Sequence, residues 1–175
     1  YSIICYSGIG YLYRILGKFP EAYQMYYKVL RIRLRVSGDK APETAIVYNH
    51  MGNVLPYMGK FEKSLEVLHK AKEILENISK NTVDLATIHN NIGNVYFYKG
   101  CYDKDLQHYQ IGRQILESHK LFDHPDLATC YNNMGSALKE LELYEDSLEM
   151  YHKALALREK IWGLENTQVA SCYLL

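Results

Sequence analysis

The chain lacks the roughly 18 consecutive apolar residues that a membrane span requires, so no membrane insertion is expected. It lacks net charge: 20 Lys+Arg stand against 20 Asp+Glu. That removes the excess of positive charge on which nucleic-acid binding largely rests. Cysteine is sparse, and Cys5, Cys101, Cys130 and Cys172 contain no C-x-x-C pair and no zinc-ligand spacing. Four unpaired thiols suit a reducing compartment, and a cytoplasmic location is the expectation. No basic segment, apolar core and small-residue cleavage site open the sequence. It starts at Tyr1 rather than Met and stops at Tyr173-Leu174-Leu175, so a piece of a longer protein is expected.

Signatures of chemistry are missing too. Gly8-Ile9-Gly10 begins a dinucleotide fingerprint, but Tyr13 stands where its third glycine belongs. Gly17-Lys18 and Gly59-Lys60 lack the distal glycine and the following Ser or Thr of a phosphate loop. No H-E-x-x-H occurs among the seven histidines. Asp123-His124-Pro125-Asp126 reads as a helix-capping Asp followed by a first-turn proline. Neither a cofactor nor a metal site is expected, and the chain is not read as an enzyme.

What is present is hydrophobic residues at 48%, enough to build a core, and 17 tyrosines. Their positions repeat. The segments ending at Gly10, Gly52, Gly93 and Gly135 align in register, with spacings of 42, 41 and 42 residues. The chain divides into units 2–43, 44–84, 85–126 and 127–168, with a fifth beginning at 169–175. Each unit reads as two helices. In the fourth, Leu127, Tyr131, Met134, Leu138 and Leu141 form one amphipathic stripe, and Tyr144, Leu148, Tyr151 and Leu155 form the next. Gly17, Gly59 and Gly100 fall at the turn between helices, where a left-handed residue ends a helix well. Cys5, Cys130 and Cys172 share one repeat position with Val47 and Ile88 and are expected in the core. Pro56 lies inside a predicted first helix and should kink or end it. Asp105 occupies a normally small apolar site, which predicts looseness in the third unit.

A helix pair cannot bury both faces alone, and stacking the pairs gives an all-α, right-handed α-solenoid. The pattern resembles the tetratricopeptide repeat. Its aromatic falls on Tyr6, Tyr48 and Tyr131, with His89 in the third copy, and its small residue on Gly10, Gly52, Gly93 and Gly135. Its turn aromatic is Phe19, Phe61, Tyr102 and Tyr144. Its second-helix positions are Ala22, Ser64, Asp105 and Ser147, then Tyr26, Leu68, Tyr109 and Tyr151. The length of the unit, with His124-Pro125-Asp126-Leu127-Ala128, resembles the kinesin-light-chain type of repeat. Departures are Gly52, Gly93 and Gly135 where that type usually has Ala, and Thr167 where it has Pro.

The resemblance implies a protein-interaction scaffold or adaptor that binds an extended peptide or a helix along the exposed row of first helices. The alternative is a sensor segment of a larger multidomain protein, with mainly intramolecular contacts. The register picks out candidate binding residues: Asn49, Asn53, Asn90, Asn91, Asn94, Asn132 and Asn133, with Tyr57, Phe97 and Tyr98 beside them. Asparagine is a mediocre helix former, so propensity does not explain these rows. Its amide offers an acceptor and two donors that match a peptide backbone. The other reading is that these amides cap or bridge adjacent repeats. A carboxylate clamp is not expected, because Asn49, Thr129 and Asn133, or Ser7, Thr87 and Asn91 one unit earlier, stand where Lys and Arg would be required. Eleven of the 17 tyrosines, Tyr144 among them, fall on packing positions, and only Tyr11, Tyr57 and Tyr98 on the candidate surface. The expected partner is a protein or peptide. Oligomeric state does not follow from the sequence.

Overall fold

The computed structural model describes residues 2–78 and 82–163. The fifth repeat copy at 169–175, with Thr167, Cys172 and Tyr173, lies outside the described residues. Among the described residues there are α-helices and one short 3-10 turn, and no strand. Their order is α1 (Ser2–Ile15), α2 (Phe19–Val36), α3 (Pro42–Val54), α4 (Phe61–Ile78), α5 (Val83–Tyr98), α6 (Tyr102–Ser118), α7 (Pro125–Glu140) and α8 (Tyr144–Trp162). The fold is all-α, built of helix pairs as the repeat requires. The chain forms two compact units, Tyr1–Asp84 and Leu85–Leu175.

Local chemistry explains where the helices stop. Gly17, Gly59 and Gly100 have φ of 69°, 69° and 71°, the left-handed region that glycine enters without a Cβ penalty. The amides that follow, on Lys18, Lys60 and Cys101, reach back to Tyr13, Leu55 and Tyr96 carbonyls five residues earlier. In the fourth pair Glu142 takes the same conformation, φ 60°, without glycine's freedom. Pro42 and Pro125 each open a helix, where a missing amide costs nothing. The α7 cap is His124, not the Asp read from the sequence: Asp126 N–H donates to His124 Nδ1 at 3.2 Å. Asp123 turns instead to Lys160, at 2.6 Å.

Pro56 ends α3 as an α-helix and the chain continues as the 3-10 turn Leu55–Met58. A proline offers no N–H to the carbonyl four residues back, Gly52, so the α pattern cannot close there. The buried Ser64 hydroxyl donates to that carbonyl instead, at 2.6 Å.

In the first unit the core gathers Ala22, Tyr26, Val29 and Leu30 of α2 with Val47, Met51 and Val54 of α3 and Leu55. In the second, Tyr109 of α6 packs on Met134 and Ala137 of α7, with Phe97 and Leu106 at its border. Val47, Ile88 and Cys130 are buried as expected, but Cys5 is exposed. The reason is that α1 is covered on one side only. Ile9 is 42% exposed where its counterpart Met51 is 2%, and Leu12 is 59% where Val54 is 0%. Tyr144 is likewise exposed rather than packed. Asp105 brings no irregularity: α6 runs unbroken through it, and its carboxyl is fully buried.

Candidate functional site

In the first compact unit Asn49 and Asn53 lie half-buried on α3. Tyr57, in the 3-10 turn, is about half exposed and stacks one face on Phe19, centroids 4.5 Å apart and rings 9° from parallel.

The second unit brings more of the candidates together. Asn94 Oδ1 accepts from the Tyr109 hydroxyl at 2.8 Å and from Asn133 Nδ2 at 3.1 Å. Asn94 sits on α5 and Asn133 on α7, so the amide pair ties two successive first helices. With both bonds made, both N–H groups of Asn94, and one N–H and the carbonyl oxygen of Asn133, take no part in the pair. Exchanging the two ends of both amides leaves the carbonyl oxygen of Asn94 and both N–H groups of Asn133, so an acceptor and donors remain either way.

Asn94 and Asn133 line a recess of about 140 Å³ together with Phe97, Tyr98, Tyr109 and Ser136. Phe97 meets Tyr98 and Tyr102 edge-on, at centroid distances of 6.1 and 5.6 Å, and Tyr98 stays about half exposed. Ser136 shares a 3.0 Å hydrogen bond with Tyr151. Another recess, about 290 Å³, is lined by Asp39, Lys40, Tyr48, Lys70, Glu73, Ile74 and Asn77 and includes none of the candidate residues.

The remaining asparagines differ from one another. Asn90 is 5% exposed and its amide is spent on Cys130: Nδ2 donates to Sγ at 3.1 Å and Sγ donates to Oδ1 at 3.2 Å. Its role is to bridge α5 and α7. Burial pushes the Cys130 thiol up to about 12 although the Asn90 bond pulls the other way, so it stays a neutral donor. Asn91 is also buried. Asn132 is half-buried, and its backbone carbonyl accepts from Ser136 at 3.1 Å.

Sequence reasoning assigned Tyr109 and Tyr151 to packing alone and missed their hydroxyls. Each lies 15 residues after the surface residue it orients, Asn94 or Ser136. The signal was available: the second repeat has Leu68 at that position, which has no hydroxyl to offer Asn53. Burial raises the Tyr109 phenol well above its ordinary range, and the nearby Asp105 carboxyl adds to this, so it remains a donor.

Fold and repeat register together define a class, the helical-repeat protein. The tetratricopeptide repeat profile matches residues 2–77 and 84–160, and the chain belongs to that family. Repeats of this family are in general protein-protein interaction modules, typically non-catalytic. No curated protein sequence matches it closely enough to count as a relative. Solved structures match the fold. The crystal structure of BtubC (BKLC) from P. vanneervenii gives a TM-score of 0.75 at 19% identity, covering 94% of this chain and 66% of that one. A putative kinesin light chain from Podosopora anserina, with nearly identical TPR-like repeats, gives 0.74 at 12% identity, covering 97% and 81%. A single-substitution form of that same protein gives 0.75 at the same identity and coverage. The chain therefore spans just under two thirds of the BtubC chain. No helix among the described residues is long and apolar enough to cross a membrane.

Proposed function

We propose that this chain is the binding part of a scaffold or adaptor that takes up an extended segment of a partner protein. The observation that carries the reading is the Asn94–Asn133 pair. A peptide group presents one C=O and one N–H, and the pair keeps N–H donors and a carbonyl acceptor unused by its own bonds, beside a recess edged by Phe97 and Tyr98. Holding backbone with amides makes recognition tolerant of sequence. The recess then selects one side chain, and about 140 Å³ suits a single apolar group, as a cavity of about that size takes benzene. Asn49, Asn53 and Tyr57 of the first unit and Asn132 of the second would add to the contact, whereas Asn91 is buried. Asn90 belongs to the packing. Free Cys5, Cys101 and Cys130 are in keeping with a cytoplasmic setting.

The test is a peptide-library screen against the wild type, followed by titration of the recovered peptides into Asn94→Ala/Asn133→Ala. Affinity is expected to fall at least about tenfold, the equivalent of losing one to two hydrogen bonds. Peptides that bind both proteins equally would sink the reading.

A further inference from the structure

The position that Asp105 occupies has a job in two other helix pairs. Ser64 Oγ donates to Gly52 O at 2.6 Å, and Ser147 Oγ donates to Gly135 O at 2.7 Å; both bonds are buried. Each serine lies 12 residues after its glycine, and Asp105 lies at that same position after Gly93. The carbonyl at this position accepts and cannot donate, so its partner must bring a hydrogen. A carboxylate has none, whereas a protonated carboxyl has one O–H. Asp105 is 0% exposed, and among the described residues neither of its oxygens has a hydrogen-bond partner.

Among the described residues no side chain around it relieves an ionised Asp105; only the Leu106 backbone amide favours that form. Asp103, on the same helix, adds like charge, and Tyr109, one turn on, is a neutral phenol. Around Tyr109, α5 contributes Tyr98 and α7 contributes the neutral Cys130 thiol. The same α5–α6 interface holds His89 and His108, whose Nδ1 atoms lie 3.0 Å apart. Tyr109 leans directly on Gly93: a Cβ there would come 2.7 Å from Tyr109 Cδ1. Through its hydroxyl, Tyr109 holds Asn94.

From this juxtaposition we infer that Asp105 is a proton-operated latch between α5 and α6. Neutral, it donates to the Gly93 carbonyl and closes the two helices. Ionised, it loosens that contact and with it the Tyr109 support of the Asn94–Asn133 pair. Burial raises the Asp105 carboxyl to about 7, against a pull from the nearby Leu106 amide, so the latch works near neutrality. The sign is fixed by linkage. Below the ordinary carboxylate range both folded and unfolded chains hold this proton, and the latch contributes fully. Between that range and about 7 only the folded chain holds it, so its contribution is lost as pH rises. The inference concerns packing within one unit and holds whether or not the surface binds peptide.

Thermal unfolding of the whole chain from pH 5 to 8.5 tests it, beside Asp105→Asn, which donates at every pH, and Asp105→Ser, which restores the hydroxyl of the sister pairs. The wild-type melting temperature should fall by several degrees relative to both variants as pH rises, and carbon NMR should place the Asp105 titration near neutral. The Asn94 side-chain amide signals should move with the same midpoint in the wild type and stay still in Asp105→Asn. His108→Phe should leave the Asp105 midpoint in place. Parallel pH profiles in wild type and variants, a midpoint near 4, or Asn94 signals indifferent to Asp105 would each overturn the latch.

Discussion

Glu142 shows how a single residue carries the mark of the repeat it belongs to. It adopts φ 60°, as Gly17, Gly59 and Gly100 do at their turns, and an L side chain in that region costs roughly 1–2 kcal/mol. Its side chain is exposed, so nothing in the core depends on it. Glu142→Gly should therefore raise stability by about 1 kcal/mol, read as a shift of the urea midpoint without a change of slope. The turn was legible in the sequence because three of four copies carry glycine there. The asparagines are a harder residue-scale case. Asn90 and Asn94 sit one turn apart on the same helix, yet one faces a buried thiol and the other a recess. Helical spacing places them on one face, and both meet α7, but it does not say which side chain each finds there.

At the scale of the element, Pro56 and Ser64 form one device. Gly52 loses its helical donor to the proline, and Ser64 supplies another. Gly135 sits within α7 with Lys139 four residues on, so Ser147 adds a second bond to a carbonyl already served. Ser64→Ala should then cost about 1–3 kcal/mol, the penalty of an unsatisfied buried carbonyl, while Ser147→Ala should cost about 1 kcal/mol or less. Equal losses in parallel denaturant titrations would refute this pairing. The proline's effect was half legible: the sequence shows that α3 must change character near residue 56, and the structure shows a 3-10 turn rather than a kink. Helix α1 teaches the complementary point. Cys5, Ile9 and Leu12 have the spacing of a buried stripe, but a stripe is buried only where another helix lies over it. Periodicity therefore predicted the face correctly and its burial wrongly.

For the whole molecule, charge decides which partners fit. Lys+Arg and Asp+Glu balance at 20 each, and the side chains proposed to touch a ligand are amides and aromatics. Binding of a recovered peptide should accordingly change less than about threefold between roughly 50 and 500 mM salt, whereas a partner held by phosphate contacts would lose several orders of magnitude over a narrower range. Calorimetric titration across that range distinguishes the two, and a steep salt dependence would move the contact surface away from the asparagines.

By itself the sequence determined the repeat, the helix pairing, the turn glycines and the family, because these follow from local rules: helical periodicity, backbone freedom at glycine, and the amide that proline lacks. It also supplied the row from which the candidate site is proposed. Only the tertiary structure decided which members of that row are available. Asn90 meets Cys130, 40 residues on, and is consumed in packing, while Asn94 meets Asn133, 39 residues on, in a pair that leaves amide donors and an acceptor unused by its own bonds. Hydrogen-bond partners so far apart along the chain are chosen by how helices stack. The same stacking puts a carboxyl where two sister repeats put a hydroxyl.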